Sequence, residues 1–223
     1  MKMKYIKLFV LIVVSSAMIK CEYQDTDFGF DGSIKGMVKD NSGTPVYGDM
    51  SSNNLVVKLL GENDEQALEI RVNGDGTYQN LKMFPKKHEV WLEGPIVNSA
   101  HTTVDFSVDP EQVLDFTVTP LVSPKLNSAS GSGTSISVSY DILPNDGNTI
   151  KKMEVYCSTV KYPTAAIGSR TNVYFTKKVT LTESSGSVVV DGLETGVHYY
   201  IRLGAQADGA SSMNYSNQIE VDL

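Results

Sequence analysis

The stretch I-K-G-M-V-K-D-N-S-G-T-P-V, residues 34–46, decides the fold. A period of two puts Ile34, Gly36 and Val38 on one face and Lys35, Met37 and Lys39 on the other, the pattern of a half-buried strand. Asn41-Ser42-Gly43-Thr44-Pro45 then reads as a turn, because glycine and proline supply the backbone angles a reversal needs. The same succession of alternating runs and turns continues to the C-terminal residue, with no helical period of useful length. The expected fold class is therefore all-β.

Working outward, Leu55–Gly61 and Leu68–Val72 read as strands, the latter with Leu68, Ile70 and Val72 alternating with Glu69 and Arg71. Asn73-Gly74-Asp75-Gly76 predicts a hairpin turn leading into Thr77-Tyr78. A calcium loop would need further oxygen ligands and a distal bidentate acid. Strands follow at His88–Glu93, Thr102–Val108 and Leu114–Thr119. Pro120 and Pro124 bracket a short stiff linker, which places a domain boundary near residue 121. Asn127–Ser135 is rich in serine and glycine and predicts a loop. Beyond it, seven short strands separated by turns, Ser135–Tyr140, Ile150–Ser158 and Val197–Ala205 among them, argue an immunoglobulin-like sandwich. The expectation is two tandem β-sandwich domains, residues 31–120 and 121–223, after a signal peptide and a short tether.

The N-terminal residues set the expected location. Lys2 and Lys4 precede an apolar run, Leu8–Val14, then Ser15, Ser16 and Ala17, then Cys21 and the acidic segment Glu22–Asp27. The run is shorter than the roughly 20 apolar residues that a membrane-spanning helix needs, so a cleaved secretory signal fits it better. The box A-M-I-K-C, residues 17–21, resembles the processing site of bacterial lipoproteins, with Lys20 where that family keeps a small residue. The resemblance implies a signal peptide over 1–20, a lipidated Cys21 and a tether over 21–30. Several acyl chains make a stable membrane anchor, since each buried methylene contributes about 0.8 kcal/mol. The acids after Cys21 look like the export signals of Bacteroidetes-type surface lipoproteins. The alternative is cleavage after Ala17, which would release a soluble periplasmic protein.

Two longer resemblances cover the rest. Residues 34–46, with N-G-D-G-T-Y at 73–78 and H-E-V-W-L at 88–92, resemble carboxypeptidase-regulatory-like domains, small transthyretin-like sandwiches that are generally non-catalytic. L-E-T-G-V-H-Y-Y-I-R-L-G-A, residues 193–205, is similar to the fibronectin type III pattern, with Thr195 in place of a proline. It implies that Tyr199 forms a tyrosine corner, and Tyr140 stands where that family usually has tryptophan. This order of segments resembles a family of Bacteroidetes lipoproteins associated with outer-membrane systems that import polysaccharides. The resemblance implies a surface-exposed outer-membrane location, a polysaccharide ligand and an outer-membrane transporter complex as partners.

The net charge of −7 argues against nucleic acid, whose binders cluster lysine and arginine. Lys86-Lys87, Lys151-Lys152 and Lys177-Lys178 are isolated pairs that read as solvated turns and strand edges. Cys157 shares a strand face with Met153 and Val155 and reads as a small core residue. His88, His101 and His198 are scattered, no metal-ligand spacing occurs, and Asp105 and Asp115 read as solvent-facing strand positions. No catalytic residue, cofactor or metal is expected, and the protein reads as a non-enzyme. Candidate ligand-binding residues are Trp91, Tyr162, Tyr174 and Phe175. Trp91, outward between Val90 and Leu92, could stack on a sugar ring or instead cover the sheet. Tyr162, followed by Pro163, and Tyr174 and Phe175, in a long polar segment, form a set of loop aromatics suited to binding or instead to edge-strand packing or contact with the first domain. An adaptor with no ligand site is the alternative function.

Overall fold

Strand β1 (Gly32–Lys39) buries Ile34 and Val38 completely, as its alternation requires. The remaining strands are β2 (Val56–Gly61), β3 (Leu68–Arg71), β4 (Thr77–Met83), β5 (Lys87–Glu93), β6 (Ile96–Val97), β7 (Thr102–Asp105), β8 (Glu111–Val113), β9 (Phe116–Thr117) and β10 (Thr119–Pro120). They are followed by β11 (Val122–Ser132), β12 (Ser135–Pro144), β13 (Ile150–Ser158), β14 (Thr176–Thr180), β15 (Ser185–Val190), β16 (His198–Ala207) and β17 (Asn214–Asp222). These come from a computed structural model that describes residues 29–49, 51–97, 99–165 and 176–223. Cys21, Tyr174 and Phe175 lie outside the described residues. The fold is all-β, and Asp31–Leu223 form one unit.

Two sheets enclose the first core. One runs β4-β1-β8, with β9 also on β1, and the other runs β3-β2-β5-β7. Strand β1 is antiparallel to β4 and parallel to β8 and β9. Gly36 is where this parallel edge breaks. A β-carbon there would lie 1.8 Å from the carbonyl oxygen of Leu114, so the backbone approach between β8 and β9 excludes any side chain. Tyr78 donates its hydroxyl proton to the same carbonyl. Asp115 then accepts the Met37 amide at 2.9 Å and pairs with Lys39 at 2.7 Å, so its side chain continues the ladder. Asp40 closes the turn by accepting from the amides of Ser42 and Thr44 at 2.8 and 2.9 Å.

The second core lies between the sheets β11-β12-β15 and β14-β13-β16-β17, a three-plus-four division of a seven-stranded sandwich. Ile136, Val138 and Tyr140 of β12 meet Val155, Cys157, Ile201 and Leu203 there. Burial pushes the Cys157 thiol up to about 12, so it is an inert core group at neutral pH. Tyr199 is fully buried, and the Glu194 amide donates to its hydroxyl at 3.0 Å, the tyrosine-corner contact.

Three sequence expectations are corrected. Asn73–Gly76 is a turn but not a hairpin, because β3 pairs with β2 while β4 pairs with β1. The chain changes sheets there, and Asp75 braces the corner by accepting from Thr77. Residues 127–132 belong to β11 instead of a loop, and the reversal is confined to Gly133-Thr134. Strand β11 is an edge strand, where exposed serines keep their solvation and Pro124 needs no ladder donor. Residues 121–123, expected as a short stiff linker, are tied into the sheets instead, with Val122 and Ser123 in β11. Strand β10 pairs with β6, the Leu121 amide donates to Pro95 at 2.9 Å, and Asn214 receives the Val122 amide while donating to Pro95.

Candidate functional site

Strand β5 runs between β2 and β7, so both of its edges are paired and its two faces are sharply divided. His88, Val90 and Leu92 enter the core, while Glu89, Trp91 and Glu93 face outward. Burial lowers the pKa of His88, whose ring packs edge-on against Phe106 at 5.1 Å. Trp91 is therefore on the outer face, half-buried by its cross-strand neighbours. Lys58 of β2 is its register partner on one side. On the other, His101 stacks on the indole, with ring centroids 4.9 Å apart and planes 4° from parallel.

Polar groups surround this pair. The Trp91 indole N–H donates to Glu93 at 2.9 Å, and His101 Nδ1 contacts the Glu89 carboxylate at 2.6 Å. Lys58 is bonded to Glu69 and lies 3.5 Å from Glu93, and the Glu69 contact raises its pKa. Arg71 donates to Asn53 at 2.6 Å. The face thus joins an aromatic pair to several carboxylates, an ammonium, a guanidinium and an amide, the groups that exchange hydrogen bonds with hydroxyls. One face of the indole is already covered by His101.

Tyr162 lies elsewhere. It follows β13 with a left-handed φ of 56°, and its amide donates to Gln218 at 2.6 Å. Its ring rests on Gly74, where a β-carbon would come within 2.2 Å of it. It belongs to a cluster around Arg202, a residue that sequence reasoning took as part of a strand pattern. The Arg202 guanidinium lies 4.6 Å from the ring centre of Tyr215, 5.7 Å from Tyr162 and 6.0 Å from Tyr47. It is fully buried, and it donates to the carbonyls of Ser216 at 3.2 Å, Gly48 at 3.0 Å and Gly74 at 3.5 Å. Burial brings its pKa down to about 10 against the opposing pull of Tyr215 and Asp49, which leaves it charged at neutral pH. A second buried charge lies near it. Glu154 accepts from the Tyr156 hydroxyl at 2.5 Å and pairs with Lys152 at 2.9 Å and Lys178 at 3.1 Å.

The available signal for Arg202 was parity. Tyr199, Ile201 and Leu203 fill the core of the second sandwich, so Arg202 is on the other face of β16, the face the first sandwich covers. His198 is also apart from the Trp91 face and contacts Asp222 at 2.7 Å and Glu220 at 3.3 Å. Among the described residues, no group of three or more histidine, cysteine or acidic residues could hold a metal ion.

No protein-family model and no curated protein matches this chain. Solved structures do. A protein from Bacteroides uniformis described as a "putative carbohydrate binding protein" superposes with a TM-score of 0.71 at 20% identity, over 87% of this chain and 100% of its own. DUF3823 family proteins from Parabacteroides merdae and Bacteroides ovatus superpose with TM-scores of 0.69 and 0.64. Each is 17% identical over 86% of this chain and 98% of its own. The likeness establishes a shared all-β fold along nearly the whole length.

Proposed function

We propose that this protein is a non-catalytic, lipid-anchored outer-membrane protein that binds glycan at the cell surface as an accessory of a polysaccharide-uptake system, through the outer face of β5. The observation that carries this reading is the Trp91–His101 pair ringed by Glu89, Glu93 and Lys58. Apolar ring surface beside convergent hydrogen-bonding groups is the composition of sugar-recognition sites. The carbohydrate-binding description of the Bacteroides uniformis protein supports the ligand class. The anchor and the surface location rest on the Cys21 signature. The three-plus-four strand division and the Tyr199 contact support a fibronectin-like reading of the second sandwich.

Retardation of the purified protein in native gels containing plant, host and microbial polysaccharides tests it. One polymer class is expected to retard the protein, and Trp91→Ala to abolish the effect. His101→Ala would uncover the indole face and is expected to strengthen retardation by a ligand that stacks there. No retardation across the panel would overturn the reading. An adaptor function is favoured by a separate observation. Leu81 and Val113, on the strands either side of β1, are 61% and 69% exposed, two apolar side chains that a partner protein would cover.

A further inference from the structure

We infer that a groove between the two sandwiches, walled by Tyr47, Pro124 and Leu143, is a second carbohydrate site that takes one neutral pyranose ring. The inference shares the carbohydrate reading above but places a ligand on different residues. The groove has a volume of about 360 Å³. That is near the low end of the roughly 300–1,000 Å³ span of small-molecule sites, so it suits one ring and not a long chain.

Its walls are held from behind. Tyr47 is half-buried, its backbone forms a bridge with Tyr215, and the Arg202 guanidinium lies 6.0 Å from its ring centre. The ring is thus fixed before any ligand arrives, which removes an ordering cost from binding. Burial raises the pKa of the phenol above its ordinary value, with Arg202 opposing, so the hydroxyl stays a neutral donor. Leu143, 64% exposed at the end of β12, and Pro124 of β11 face the same space. A large exposed leucine beside an aromatic ring matches the apolar C–H face of a pyranose.

The polar rim is also pre-set. Asp40 has one carboxylate oxygen committed to Ser42 and Thr44, which fixes the orientation of the other. Burial raises its pKa, but those hydrogen bonds prevail and hold the carboxyl below its ordinary value. Asp141 is oriented by Asn127 at 2.7 Å and lies opposite Lys125 in the β11–β12 register. Two carboxylates and one ammonium can accept from and donate to ring hydroxyls. Their net negative charge disfavours uronic acids and sulfated sugars and so selects a neutral ring.

Amide chemical-shift titration of the protein with the methyl pyranosides of glucose, galactose, mannose and xylose tests the site. Shifts are expected at Thr44, Tyr47, Lys125 and Leu143 with at least one of them. Tyr47→Ala should weaken that binding by about tenfold or more, the scale of one aromatic contact. Leu143→Asp, at a position 64% exposed, should do the same, so a folding defect in the tyrosine variant leaves the test intact. Methyl glucuronide should give no shift. The matching trisaccharides separate two sources: equal shifts identify the end ring of a glycan, and loss identifies a free monosaccharide. Trp91 is the sole tryptophan, so its fluorescence reports the other face independently. Fluorescence changes without groove shifts would overturn this site and leave the Trp91 reading standing. Groove shifts that survive both substitutions would also overturn it.

Discussion

Arg202 carries its charge inside the protein with no ion-pair partner within 4 Å among the described residues, and one of its terminal nitrogens makes no hydrogen bond. Three tyrosine rings and three backbone carbonyls take the place of a carboxylate. A lysine could not copy this, because the planar fork reaches several acceptors while presenting its faces to the rings. Arg202→Met keeps the bulk but strips donors from the carbonyls of Gly48 and Ser216. Hydrogen bonds to charged groups contribute about 1.5–3 kcal/mol each, and the loss of two is offset in part because a charge is no longer buried, so a net loss of about 2–4 kcal/mol is expected in urea denaturation. Trp91 fluorescence follows only the first sandwich, while backbone circular dichroism follows both. The two transitions should coincide in the native protein and separate in the variant, and coincidence in both would show that Arg202 does not couple the sandwiches.

Among the elements, β1 shows how far a pattern carries. Its alternation places Ile34 and Val38 in the core, and Gly36 falls where the Leu114 carbonyl presses in. Gly36→Ala should therefore cost about 3 kcal/mol, at the upper end for overpacking, whereas Met37→Ala next to it should cost far less. Equal stabilities by urea titration would remove the steric account. The interior positions were legible because period-two alternation directly encodes which face is buried, and the outward position of Trp91 followed from Val90 and Leu92 in the same way. Strand pairing was not encoded so directly. Nothing in Asn73–Gly76 distinguishes a turn within one sheet from a turn between two, since both use the same backbone angles. The serines of β11 mimic a loop because an edge strand with a solvated face has no need of apolar residues. Arg202 was missed for a related reason: the alternation that marks one face as core leaves the other to be read as solvent, although a neighbouring sandwich covers it.

For the whole unit, Glu154 links stability to pH. Burial raises its pKa, but the Tyr156 hydroxyl, Lys152 and Lys178 outweigh that and hold it below the ordinary value of 4.5. A depressed carboxylate stabilises the fold fully above its unfolded pKa and loses that contribution as pH falls through the folded value. Glu154→Gln should accordingly be less stable at neutral pH, and the gap should narrow steadily as the pH drops below about 4.5. Parallel stability curves down to low pH would show that Glu154 is not the linked group. Glu154 and Arg202 lie on neighbouring strands, β13 and β16, on the side where the first sandwich docks.

The seam around Arg202 also bears on inheritance. Sandwiches of this size are often exchanged between proteins as interchangeable parts. Here the donor sits in one half, at Arg202, and its acceptors at Gly48 and Gly74 sit in the other. A recombinant that kept either half and replaced the other would strand a buried cation or its acceptors. The two halves are therefore expected to descend together, and chimeras cut near residue 121 should fold poorly unless both sides of the seam are carried across.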